Sequence, residues 1–443
     1  MKSGNGTSGA NGTGTRAGAQ VPTAPRGGGA PARVLYLVDG LGLSGKTKAM
    51  VDLIVGLDPA RFQPTLITFD GDKGMLYERL RSAAVPVEEV PCPDGLNLGV
   101  VARLGMAARR LRPDIIHCYN PRTMLYGGVV AQALGIRALG SLSAFACLTP
   151  DTDYSFLPQR LFSTSRRNRW RNRAMSWLMR AIVTVSPTLG QRFCRYNGID
   201  LSRLRIVPYG VDVTRFSRVT GDQIAAFRAR HRLAPDALVI ASVGRLVEQK
   251  DYPTQLRAFA LAAARDPRIV MLLVGDGPLR ADCEQMVRDL GVADRVRFAG
   301  HCDEVPVALR AIDIFVLASK FEPYGVALLE AKAAGTTIVA TRVNEVPEIL
   351  GEATGTSGFI TDMAGAPTGL TGRLVPPGDP AAMAEAFVAL AQDEVGRRAL
   401  GQRAAAEATV RHSLRAAIAA YQGIYDDIRG IATAREQATR PAF

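Results

Sequence analysis

Short apolar runs recur along the chain, each followed by a stretch long enough for one helix. From Arg33 onward they read RVLYLVDG, PTLITF, VPVEEV, DIIHCY, ALGSLSAF and AIVTVS, and RIVPYG closes the series. A second series begins near Leu238 with LVIASVGR, IVMLLVGDG, VRFAGH, IDIFVLAS, TTIVAT and GRLVPPG. Continuous apolar runs of strand length, separated by helical segments, predict a parallel sheet covered on both faces. The architecture repeats although no tandem sequence repeat is present. The fold class that follows is α/β, with two Rossmann-like parallel-sheet domains facing a central cleft. The boundary falls between Gly210 and Asp222, giving a first domain over 31–214 and a second over 215–412. A last amphipathic stretch, SLRAAIAAYQGIYDDI, predicts one helix within 413–430. Residues 1–30, rich in Gly, Ala, Ser and Thr, predict a disordered tail. Residues 351–371 read as a surface loop.

The chemistry concentrates around 312–341. Ile312–Ala318 reads as a buried strand, Ser319–Tyr324 as a polar loop, and Gly325 opens a helix that stops at Gly335. Thr337–Thr341 is the next strand. Ligands of parallel sheets bind beyond the carboxyl ends of the strands, where the 319–325 loop sits. Glu322 lies on that loop, because Pro323 and Gly325 resist a helix interior. Glu330, with seven residues between, falls inside the helix. Unpaired amides at Gly325–Val326 make an anion site between the two carboxylates. That arrangement suits a phosphate flanked by polyols, as in a nucleotide sugar. Acidic residues also gather at helix starts for the macrodipole alone, so neighbours must decide. Two cations supply the decision. Arg245 and Lys250, in SVGRLVEQKD, follow a strand of the same half and suit a diphosphate. Gly275 and Gly277, in VGDGP, form another strand-to-helix turn where backbone can approach a ligand closely.

Charge and composition narrow the partners. The 443 residues carry a net charge of +13, which predicts an anionic partner. No sequence-reading nucleic-acid module is present, so phosphorylated ligands or an anionic membrane face remain. Residues 160–182 hold seven arginines and no acid, interleaved with Trp170 and Trp177, and suit a lipid headgroup interface. Six cysteines without a C-x-x-C pair, and four histidines, argue against a metal module. The first thirty residues lack an apolar core, and no apolar run reaches the ~18–20 residues of a spanning helix. The expected location is cytoplasmic, peripheral on the inner face of the plasma membrane.

The Glu322-x7-Glu330 element, with Arg245-x4-Lys250, resembles that of the retaining GT-B glycosyltransferases of family 4. The resemblance runs from about Arg33 to Ile428 and is strongest from Val239 to Pro377. It implies that Glu322 contacts the donor hexose and Glu330 the ribose hydroxyls. It implies that Arg245 and Lys250 stabilise the departing nucleotide, beside Gly275, Gly277, Tyr324, Gly325 and Val326. The family often shows G-G-x-E where this chain has Ser44-Gly45-Lys46-Thr47, so Gly45 joins the binding set. It often has H-x-H where this chain has His117 and Tyr119, which are expected to face the cleft. The implied reaction is metal-independent, retaining transfer of a hexose from a UDP- or GDP-sugar to a hydroxyl. The acceptor would be a glycan, a lipid-linked sugar or a small molecule, and no cofactor is implied. Other readings compete. GLGLSGKT, Gly40–Thr47, satisfies the P-loop pattern after a strand and before a helix, which would make an NTPase or kinase with Lys46 on phosphate and Thr47 on magnesium. A catalytically inactive GT-B binding protein and an epimerase are the remaining classes.

Overall fold

A computed structural model of the chain describes residues 30–42, 45–71, 73–93, 97–142, 166–322, 324–352 and 369–430, with side chains of the helix Arg166–Trp177 from residue 169 onward. The tail expected over 1–30 (save its last residue), most of the loop expected over 351–371, Pro323, and 160–165 of the basic segment lie outside the described residues.

Among the described residues, thirteen strands form two sheets. The first contains β1 (Ala32–Val38), β2 (Phe62–Thr68), β3 (Val87–Glu89), β4 (Ile115–Tyr119), β5 (Arg137–Ser141), β6 (Ala181–Thr184) and β7 (Leu204–Ile206). Their order is β3-β2-β1-β4-β5-β6-β7, and every pair is parallel. The second contains β8 (Leu238–Val243), β9 (Ile269–Val274), β10 (Val296–Gly300), β11 (Ile314–Leu317), β12 (Thr337–Thr341) and β13 (Arg373–Val375). It is also parallel, in the order β10-β9-β8-β11-β12-β13. All residues of β8, β11 and β12 are buried, which is why these strands read as unbroken apolar runs instead of alternating ones. The α/β class with two parallel-sheet domains is therefore what the chain adopts.

Both sheets reverse their winding beside the first strand of their series, between β1 and β4 and between β8 and β11. Connections leave opposite faces there, and the strand ends open a crevice for ligand. The last helix, Leu414–Arg429, starts at Ser413, whose Oγ accepts the Ala416 amide at 3.2 Å. Its Tyr421, Ile424, Tyr425 and Ile428 pack with Val34, Tyr36 and Ile115 of the first sheet, and Asp426 pairs with Arg61. The helix Leu414–Arg429 thus returns from the second domain to cover the first sheet.

Candidate functional site

The second sheet builds its side of the site from the loops after β8 and β11. After β8 the chain turns through Gly244–Leu246, pinned by Gly244 N–H to Val274 O (2.9 Å) and Leu246 N–H to Asp276 O (3.0 Å). Arg245 projects from this turn, exposed, with no protein partner for its side chain among the described residues. Gly275 and Gly277 explain how the turn fits. A Cβ at Gly275 would lie 2.0 Å from the Gly244 carbonyl oxygen, and one at Gly277 would lie 2.5 Å from that of Leu246. The close approach they permit is that of the Arg245 loop.

Lys250 ends a 3₁₀ turn, Glu248–Lys250, and forms an ion pair with Glu322. The same Glu322 Oε2 accepts a hydrogen bond from Ser319 Oγ at 3.0 Å. Lys320 N–H donates to Gln249 O at 2.9 Å, and Gln249 Nε2 donates to Phe321 O at 2.8 Å. Asn344 Oδ1 accepts the Glu322 amide at 3.0 Å, from a residue at φ +44. These bonds stitch the Glu322 loop onto the Lys250 turn, so the cation and the carboxylate arrive together. Gly325, at φ +74, then turns the chain into the helix Val326–Ala334, whose start no side chain caps. Only glycine adopts that conformation without strain. The uncapped amides and Lys250 give this strand-end edge an anion-binding character. Glu330 follows one turn along the same helix.

The first sheet meets this edge directly. Gly45 opens the helix Gly45–Val55, and a Cβ there would come within 2.9 Å of Val326 Cγ2. Lys48 Nζ lies 3.4 Å from Glu330 Oε1. Tyr209 and Tyr324 meet edge to face at 5.1 Å between ring centroids. Beyond β1, β4, β5 and β6 lies a cavity of about 390 Å³, lined among others by Asp39, Lys46, Tyr119, Ser141, Tyr209 and Tyr421. Two expectations change here. The helix start that a P-loop would use to cradle phosphate packs at Gly45 against Val326 of the second domain's helix. Leu43 and Ser44 of that pattern lie outside the described residues.

His117 is the second correction. It is fully buried, with Nδ1 2.8 Å from Tyr425 Oη and Nε2 2.7 Å from Ser141 Oγ. Burial lowers its pKa to about 3, so the ring is neutral. It stands behind the cavity wall and does not face the cleft. Tyr119, two residues on, does line the cavity. Sequence reasoning passed over Asp39 and Asn344 as site residues. Asp39 carried a usable signal, an acid at the carboxyl end of an apolar run; Asn344 carried none. Of the basic segment, Trp170 and Trp177 are 75% and 71% exposed.

A carboxylate pair also bridges the two sheets' domains. Ser186 Oγ lies 2.5 Å from Glu345 Oε2 and 3.0 Å from Glu348 Oε2, and Thr188 Oγ1 donates to Glu348 at 2.8 Å. One hydroxyl proton cannot serve both acids. Burial raises the Glu345 pKa to about 8, opposed by the Ser186 hydrogen bond and Arg192 and reinforced by Glu348. The folded chain holds a proton there that the unfolded chain releases. This contribution to stability is present below the ordinary glutamate pKa and is lost as pH rises through about 8. Glu345→Gln is expected to flatten the fall in melting temperature between pH 5 and pH 9, as thermal denaturation across that range would show. An unchanged slope would remove Glu345 as its source.

The chain resembles known proteins over most of its length. The family described as Glycosyl transferases group 1 matches residues 223–407, and Glycosyltransferase Family 4 matches residues 44–215. The lipopolysaccharide core biosynthesis glycosyltransferase LpsE of Rhizobium meliloti (strain 1021) is 36% identical over 184 residues, 42% of this chain and 48% of LpsE. Sulfoquinovosyl transferase SQD2 of Arabidopsis thaliana is 26% identical over 78% of this chain and 63% of its own length. The match thus spans about half of one relative and under two thirds of the other. D-inositol 3-phosphate glycosyltransferase 1 of Catenulispora acidiphila is 27% identical over 85% of this chain and 86% of that protein. Among solved structures, Anabaena Alr3699/HepE in complex with UDP has a TM-score of 0.71 at 18% identity, covering 90% of this chain and all of that one.

Proposed function

Because the chain belongs to the group 1 glycosyltransferases of GT-B fold, we propose that it moves a hexosyl group from a nucleoside diphosphate sugar to an acceptor hydroxyl. One observation carries the reading. Lys250 pairs with Glu322 beside the uncapped start of the helix Val326–Ala334, and Arg245 stands on the loop after β8, where β8 and β11 end side by side at the reversal of the second sheet. The binding of UDP by the Anabaena neighbour supports a UDP-linked donor.

In this reading the diphosphate lies over the helix start, met by Arg245 and Lys250. Glu322 accepts hydroxyls of the hexose. Glu330 takes the ribose hydroxyls once Lys48 moves aside. The acceptor oxygen bonds to the anomeric carbon while the bond from that carbon to the phosphate oxygen breaks. The leaving phosphate takes the acceptor's proton on the same face, so configuration is retained. Products are the glycoside and the nucleoside diphosphate. Glu322 is a poor covalent nucleophile, because its Oε2 already accepts from Lys250 and Ser319. Two cations and the helix amides offset the charge that grows on the leaving group, which supports catalysis without a resident metal.

Nucleotide release across common UDP- and GDP-sugars, with acceptor extracts present and absent, tests the proposal. One donor is expected to turn over, with a retained anomer seen by NMR. Donor binding without turnover would favour an inactive binding protein. Altered sugar without acceptor would favour an epimerase. ATP hydrolysis lost in Lys46→Ala would overturn the reading altogether.

A further inference from the structure

The cavity of about 390 Å³ on the first sheet has features that the donor does not use. Its size is that of a small-molecule site, roughly 300–1,000 Å³. Among the described residues only two charged side chains line it, Asp39 and Lys46, one of each sign. In a chain with a net charge of +13 that balance is unusual. The nearby Arg122 is committed elsewhere. Its Nη2 donates to the carbonyls of Cys92 (2.5 Å) and Pro93 (2.7 Å), and its guanidinium stacks over Phe69. No surplus of positive charge therefore awaits an anion.

Asp39 is short of hydrogen-bond donors. Its Oδ1 is shielded from water and has no partner among the described residues. Burial, the largest influence on it, raises its pKa against the opposing pull of Arg122, Lys46 and Asn120. Asn120 is held in place at a cost. It sits at φ +128, and its Oδ1 caps the helix Pro121–Leu134, accepting the Thr123 amide at 3.1 Å. Strained backbone of this kind gathers at ligand clamps. The remaining walls include three tyrosines, Tyr119, Tyr209 and Tyr421, with Ser141 and Thr184 between them. Aromatic faces beside single hydroxyls and a carboxylate match a sugar ring, whose faces are apolar and whose rim is all hydroxyl.

We propose that this cavity binds one uncharged sugar ring of the acceptor, with Asp39 accepting its hydroxyl hydrogens, and disfavours phosphorylated rings. The proposal rests on the glycosyl-transfer reading and narrows its acceptor.

Saturation-transfer NMR on the full chain, with UDP or GDP present, would test it with matched pairs: glucose and glucose 6-phosphate, mannose and mannose 6-phosphate, myo-inositol and its 1-phosphate. At least one neutral member is expected to bind at least about tenfold more tightly than its phosphate. Asp39→Asn is expected to weaken that member by roughly tenfold to a hundredfold, the loss of a hydrogen bond to a charged group. Nucleotide binding should be unchanged in Asp39→Asn, which confirms an intact fold. Tighter binding of the phosphates, indifference to Asp39→Asn, or no ring bound while nucleotide binds would overturn the inference. Failure of any nucleotide to bind the unaltered chain would instead strike the donor reading.

Discussion

Arg245→Ala is expected to lower kcat/KM for transfer by roughly 10²–10³-fold, the usual effect of removing one group that stabilises developing charge. The fold should not suffer. Arg245 is exposed and has no protein partner among the described residues, so its melting temperature should match that of the unaltered chain. That separation makes it the cleaner of the two cations to remove. Lys250→Ala should cost at least as much activity but with a structural component. Lys250 and Glu322 are 17% and 8% exposed, and deleting the cation leaves a largely buried carboxylate without its charge partner. Stranded charges of this kind are costly, and the Glu322 loop should loosen. Glu322→Gln keeps the shape and removes the charge. Combined with Lys250→Ala it should lose much less than the sum of the single losses, because the pair acts as one unit. Steady-state kinetics and thermal melting on the four variants give the answer. Full turnover in Arg245→Ala would remove the diphosphate from this edge of the second sheet.

The sequence shows some of this plainly and hides the rest for physical reasons. Parallel strands are buried on both faces, so IDIFVLAS and TTIVAT announce β11 and β12 without any partner in view. Gly325 and Gly335 mark the two ends of the helix between them, and both adopt positive φ, +74 and +72. Such signals are local. His117 failed because its surroundings are not. The residue lies on the same face of β4 as Tyr119 but two positions deeper, about 6–7 Å further from the strand end. What seals it is Tyr425, 308 residues later in the chain. Gly275 and Gly277 hide a packing partner for a similar reason. A glycine-rich turn reads alike whether a ligand or another loop fills its hollow, and here the Gly244–Leu246 loop fills it. Asn344 and the Ser186–Glu345 contact are likewise products of packing between distant segments. Residue type at a strand end tells which chemistry is present. Which atoms meet is decided by the packing of segments far apart in the chain.

Lys332→Ala is expected to destabilise the chain by about 3–5 kcal/mol, the cost of breaking one side of a buried ion pair. Lys332 is fully buried on the helix Val326–Ala334, two residues beyond Glu330. Its Nζ donates to Glu407 Oε2 at 2.7 Å and to Ile349 O at 2.6 Å. Burial lowers the lysine pKa and Glu407 opposes the shift. Removing the ammonium strands Glu407, 1% exposed, with only Arg411 at 3.7 Å to offset it among the described residues. It also orphans the Ile349 carbonyl, at the end of the helix Val346–Ile349 that follows Glu345. The loss should therefore reach the domain contact as well as the core. Lys332→Met with Glu407→Leu separates charge from volume. Removing both charges avoids the stranded carboxylate, and such replacements range from neutral to about 1–4 kcal/mol stabilising. The Ile349 carbonyl still lacks its donor, so the double variant should recover most of the loss without exceeding the parent. Urea denaturation of the three proteins at one pH measures the difference. A double variant as unstable as Lys332→Ala would mean that packing, and not the stranded charge, holds this helix against its neighbour.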